Sequence, residues 1–159
     1  MTWRNPQPET AGVLSNVFAS LEAYFAKAKY KEFAASVSAT TTPPTMGTGG
    51  SAAGRYAIHG STVHFYAQVV FGTGMTPGVG YYNIALPVPA KQPWDYSRVG
   101  LVTGYDVSAA LHAIGFGYIN PSDASSVNVF SGNVTWTDAL PWVWAAGDSF
   151  DVHLVYERG

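Results

Sequence analysis

A chain of 159 residues is long enough for one domain with its own core and too short for two large ones. Hydrophobic residues make up 47% and aromatics 14%, which excludes a disordered chain, whereas charged residues reach only 11%, well under the about one quarter usual in soluble proteins. The formal net charge of −2 gives no general attraction for nucleic acid or anionic lipid, and the absence of cysteine excludes disulfides, thiol catalysis and Cys-based zinc sites.

So few charges leave a surface of Ser, Thr, Asn, Gly and apolar groups, which assembly into an oligomer would cover. The opening MTWRNPQPET lacks the basic-then-apolar pattern of an export signal, and no run approaches the roughly 18 apolar residues of a membrane span, so neither export nor membrane insertion is expected. Pro6, Pro8 and Gly12 predict an extended arm over residues 1–12, in which Trp3 is the one side chain with much to bury.

From residue 13 to about 35 the apolar period changes. Leu14, Phe18, Leu21, Phe25 and Ala28 recur at steps of four and three, flanked by Val17 and Tyr24, and predict an amphipathic helix. Thr10 and Ser15 are possible N-caps, and Lys27, Lys29 and Lys31 read as a solvated helix end. Two heptads are too few for a coiled coil by themselves, so the helix either packs on its own domain or bundles with copies of itself.

Residues 36–54 break the chain. A first strand fits residues 37–41, after which Pro43, Pro44, Gly47, Gly49, Gly50 and Gly54 impose a loop. The domain boundary is placed here, with an arm and helix over 1–37 and a β domain over 38–159. The clearest strand is 62–71, where Val63, Phe65, Ala67, Val69 and Phe71 alternate with Thr62, His64, Tyr66, Gln68 and Val70. Further strand-like runs fall at 55–58, 80–86, 99–106, 111–119, 127–130, 133–135 and 149–156, joined by Gly- and Pro-rich turns. No helical pattern separates them. The expected fold is mainly β, an antiparallel jelly-roll-like β-sandwich of eight strands with a short N-terminal arm and amphipathic helix.

No catalytic constellation accompanies these strands, and neither cofactor nor metal is expected. His59 falls in a turn, and His64 and His153 lie on the polar faces of the two clearest strands, without the spacing of a metal motif. Asp148 and Asp151, with Asp138 upstream, are the nearest approach to the paired carboxylates of glycoside hydrolysis, but their opposite parity points them apart, and Gly147-Asp148 reads as a turn. The stretches GTGG (from Gly47) and GTG (from Gly72) lack the Lys-Ser/Thr of a phosphate loop and read as turn glycines. Asn133 opens a glycosylation sequon, which carries no meaning without export. Trp136, Trp142 and Trp144 cluster in VTWTDALPWVWAAGD. They suit either an exposed glycan platform or a cap over the end of the core, or burial at a subunit contact.

Residues 40–90 carry a phrase pattern: Thr42, Pro44, Gly47, Gly49, then Gly54-Arg55-Tyr56, Gly60 and Val63, then Phe71-Gly72, Gly78, Gly80, Tyr82, Ile84 and Leu86-Pro87-Val88-Pro89-Ala90. With the closing WAAGDSFDVHLVYE from Trp144 to Glu157, it resembles a module of virion proteins in tailed phages that infect actinobacteria. The resemblance covers about residues 38–159. It implies a non-enzymatic β-sandwich head, commonly trimeric, displayed on the virion surface as a capsid-decorating, head-fibre, minor capsid, minor tail or tail-fibre protein made in the host cytoplasm. Capsid docking then falls to Trp3, Arg4 and Pro6 and trimerisation to the helix positions Leu14, Phe18, Leu21 and Phe25. The implied partners are other copies of the chain and phage capsid or tail proteins. Residues 1–37 reach only some tens of ångströms, which favours a capsid shell over a long tail fibre. The alternative is a tail-associated receptor- or glycan-binding protein that meets a host-surface glycan through Trp136, Trp142 and Trp144.

Overall fold

The computed structural model describes residues 16, 19–20, 29–92, 97–131 and 134–159. Among them the strands are β1 (Lys31–Phe33), β2 (Val37–Ala39), β3 (Ser51–His59), β4 (Thr62–Val70), β5 (Tyr82–Ala85), β6 (Ser97–Asp106), β7 (Leu111–Asn120), β8 (Asp123–Ser131), β9 (Val134–Thr135) and β10 (Ser149–Glu157). They form one sheet in the order β1-β3-β4-β10-β6-β7-β8-β5-β2, with β9 attached to β8, and every pairing is antiparallel.

The mainly β, antiparallel class expected from the alternation is what the chain adopts. A jelly roll divides its strands between two sheets. Here the hydrogen-bonded path is unbroken, and β6, β7 and β8 follow one another as a meander. The curl follows from chain connectivity. β1 and β2 lie at opposite ends of the order, yet only residues 34–36 separate them. Four Cα steps span at most about 14 Å, whereas nine flat strands would put the edges about 38 Å apart. The sheet must therefore wrap into a half-barrel, with the buried Ala35 in the link between its edges.

The inner face is the core. Val63, Phe65, Ala67 and Val69 from β4 meet Phe150, Val152, Leu154 and Tyr156 from β10, with Ile84, Val102, Val127 and Val129 across the curl. Strand β10 sits at the centre, paired over nine residues with β4 and six with β6. Its alternation and that of β4 are the two clearest in the sequence, because both strands are buried on one face only.

Two boundaries differ from the sequence reading. The sheet begins at Lys31, before the boundary expected at residue 37. Lys31–Phe33, expected as the end of the helix, is a strand because Phe33 turns inward, edge-on to Tyr56 at 6.3 Å and Phe65 at 5.7 Å. Upstream, Asn16, Ala19 and Ser20 are helical and exposed, and the Ser20 hydroxyl donates to the Asn16 carbonyl at 2.8 Å. The stripe Leu14, Phe18, Leu21 and Phe25 lies outside the described residues, as do Trp3, Arg4 and Pro6.

Candidate functional site

The tryptophan cluster is built by glycines. On the inner face of β6 and β7 the chain places Gly104 and Gly115, and an added Cβ there would come within 3.0 Å and 3.3 Å of the Trp136 ring. The room they leave is filled by Trp136, which is fully buried, and by Trp144, 5.7 Å away between ring centres. Trp144 also packs on Phe71 and Phe150, each at 5.5 Å. Both indoles are satisfied internally: Trp136 Nε1 donates to Ser131 Oγ at 3.1 Å and Trp144 Nε1 to the Thr137 carbonyl at 2.9 Å. These two residues cap the end of the core and offer no open ring face for a sugar. Trp142 is half-buried, and its Nε1 has no partner among the described residues.

The carboxylates serve turns. Asp148 is buried and accepts from the amides of Val107 at 3.0 Å and Ala145 at 2.8 Å, so it ties the β6–β7 turn to the loop before β10. Asp138 accepts from the Gly80 amide at 3.1 Å. Asp151 points the other way, onto the outer face, where it accepts from Tyr66 Oη at 3.2 Å and Gln68 Nε2 at 3.0 Å. The opposite parity read from the sequence separates Asp148 from Asp151, and neither is paired with a second carboxylate.

On the outer face of β3, β4 and β10 a polar row runs across the strands. The Arg55 guanidinium lies 5.1 Å from the Tyr30 ring centre and 5.4 Å from that of Tyr66, within cation–π range. Tyr66 in turn stands edge-on to His153 at 4.6 Å. Burial, then the nearby Asp151 charge, pushes the Tyr66 hydroxyl pKa up. β4 and β10 are neighbours, but register sets His153 against Tyr66 and Val155 against His64, so the two imidazoles are not brought together. His64 meets His59 instead, at 5.4 Å. No group of three or more His, Asp or Glu side chains converges in metal-binding geometry among the described residues.

Two features escaped the sequence reading. The turn glycines around residues 47 and 72 belong to an antiparallel ladder. Thr42, Thr45 and Thr48 pair with Val79, Thr76 and Thr73, exchanging amide–carbonyl bonds of 2.9–3.3 Å at every third residue. An ordinary antiparallel ladder repeats at every second. Gly47 (φ 71°) and Gly78 (φ 73°) supply the left-handed steps between rungs, and Thr45 Oγ1 and Thr76 Oγ1 lie 2.9 Å apart. The threonine spacing of three in TPPTMGT and TGMT was the available signal.

The second feature is the outer face of β6 and β7. Because Gly115 and Gly117 face inward, the bulky residues between and beside them face out: Ile114 is 63% exposed, Phe116 46% and, opposite Phe116 on β6, Leu101 41%. In the sequence GFGY the alternation is visible, but which of its two faces lies inside is shown only by the packing of Gly115 and Gly117.

No protein-family model, curated protein or solved structure matches the chain.

Proposed function

We propose that the chain is a non-enzymatic virion structural protein, a homotrimeric capsid-decoration protein of head-fibre type. It attaches to the capsid shell through its N-terminal segment and displays the curled sheet as its head. The observation that carries this reading is the phrase pattern of residues 42–90 and 144–157, which resembles virion modules of actinobacterial phages. Its positions coincide with parts of the fold: the Thr42–Val79 ladder, the β3–β4 hairpin, β5 and the central strand β10. Residues repeated for a fold rather than for a reaction suit a structural protein. The low charge and the carboxylates tied into turns support the same reading.

Attachment falls to Trp3, Arg4 and Pro6, and association of the helices to Leu14, Phe18, Leu21 and Phe25. Co-sedimentation with undecorated capsids tests this, comparing the full chain with one lacking residues 1–28, which leaves β1 in place. The full chain is expected to pellet with capsids and the shortened chain to remain in solution. A full chain that ignores capsids at every concentration, but pellets with phage tails or host cells, would favour the tail-associated receptor- or glycan-binding alternative.

A further inference from the structure

Two of the four histidines meet. His59 ends β3 and His64 lies on β4, and the hairpin between them turns at Gly60-Ser61, with Gly60 at φ 61°. Register pairs His59 with Thr62 and Ala57 with His64, so all four share the outer face, opposite to Ile58 and Val63 of the core. His59 and His64 are therefore diagonal neighbours, the placement in which long side chains reach across a strand pair. Their ring centres are 5.4 Å apart and their planes stand at 81°. Both are half-buried, and Ala57 beside them is only 2% exposed although it faces outward.

A neutral imidazole carries one N–H and one lone pair. Apart from the contact between their rings, neither His59 nor His64 has a hydrogen-bond or ionic partner among the described residues. The other two histidines are engaged singly by tyrosines: His112 stacks on Tyr105 at 4.7 Å, and His153 stands edge-on to Tyr66 at 4.6 Å. Two free lone pairs this close suit a shared metal ion. With zinc–nitrogen bonds of about 2.0–2.1 Å, two imidazoles on one tetrahedral ion hold their ring centres about 5 Å apart. The observed 5.4 Å lies within that reach, and bringing both lone pairs onto one point takes a turn about χ2, a broad torsion in histidine. The charged groups around the pair are already engaged. Glu157, in register with Thr62, is held by Lys91 Nζ at 3.1 Å; Asp151 accepts from Tyr66 and Gln68, and Arg55 lies over the rings of Tyr30 and Tyr66. The chain thus offers two nitrogen ligands, and water completes the shell.

We propose that His59 and His64 form a two-histidine site for a borderline divalent cation, Zn2+, Ni2+ or Cu2+. Imidazole suits these ions, with Cu2+ bound tightest, whereas Mg2+ and Ca2+ take shells of oxygen that this pair does not supply. The ion clips β3 to β4 beside their turn. It stabilises the folded sheet, because the unfolded chain does not hold the two imidazoles in place. The site stands on the hairpin alone and is independent of the capsid proposal.

The test uses the full chain, free of any affinity tag, with Zn2+ and Mg2+ as chlorides. Calorimetric titration with Zn2+ should saturate at one ion per chain, and Mg2+ should give no binding heat. His59→Ala and His64→Ala should each weaken Zn2+ binding by about tenfold or more, since one imidazole is left without its chelating partner. His112→Ala and His153→Ala should leave it unchanged. In the parent protein, nuclear magnetic resonance should show the imidazole signals of His59 and His64 moving together on Zn2+ addition while those of His112 and His153 stay, a result that needs no variant to fold. Zn2+ should raise the melting temperature of the parent and of His153→Ala but not that of His59→Ala. Binding that survives His59→Ala, or signals of all four histidines moving alike, would mark an adventitious ion only and overturn the site. Absence of saturable Zn2+ binding to the parent would overturn it too.

Discussion

A methyl group at Gly115 would stand 2.8 Å from Val129 Cγ1, and one at Gly117 would stand 2.6 Å from Leu154 Cδ2. These two positions let the sheet close over Trp136 and Leu154. Gly115→Ala should lower stability by about 1–3 kcal/mol through overpacking. Because the nearest obstacle is one Val129 methyl, the double variant with Val129→Ala should lose less than the sum of the two single changes, read from urea midpoints. Asp148 is a second residue-scale test. Alanine there leaves the amides of Val107 and Ala145 without their acceptor, and a hydrogen bond to a charged group contributes about 1.5–3 kcal/mol. Asp148→Asn retains an amide oxygen and should lose less than Asp148→Ala in thermal melts. The parity of Asp148 and Asp151 was legible, because alternation fixes which residues share a face. It does not say which face is inside, so GFGY gave the strand but not the exposure of Phe116.

At the scale of elements, the strands with clean alternation, β4 and β10, were legible nearly to the residue. β8 begins at Asp123, inside a stretch whose Asp and Ser composition reads as a turn; Asp123 does form a local turn with Ser125 and Ser126 while its backbone already pairs with Asn120. β1 was hidden because three residues are too few to show a period, and the preceding helical stripe ran through them. The Thr42–Val79 ladder was hidden by its glycines and prolines, which signal turns whatever they pair with. Gly78 gives its test. A Cβ there would lie 2.3 Å from the Thr42 carbonyl oxygen at a φ of 73°. Gly74 has a similar φ of 75° with open space around it. Gly74→Ala should cost about 1–2 kcal/mol for the left-handed conformation alone. Gly78→Ala should cost clearly more, and hydrogen exchange at Thr42 and Thr45 should accelerate in that variant only.

At the scale of the whole molecule, no local pattern foretold the closure of the sheet, because it depends on pairings between β1 and β3 and between β2 and β5 that span long stretches of chain. Stability should have an acid and an alkaline limb. The Ser108 hydroxyl and the Ala109 amide hold the Asp106 carboxyl below its usual range, and the Ser125 and Ser126 hydroxyls do the same for Asp123. A depressed folded pKa contributes stability present in full above the unfolded value of about 3.9 and lost as pH falls through the folded value. Burial raises the hydroxyl pKa values of Tyr82 and Tyr156. Their contribution is complete below about pH 10 and lost as pH rises beyond it. Urea midpoints should therefore be flat through neutrality and fall below about pH 4 and above about pH 10.

The low overall charge and the N-terminal apolar stripe are the whole-molecule features on which the proposed display on a capsid rests. Electron cryomicroscopy of virions carrying this protein would test that directly. The proposal predicts density for three copies at symmetric positions on the capsid shell, with the N-terminal segments against the shell and the curled sheets projecting outward. Density confined to the tail, or isolated single copies, would contradict it.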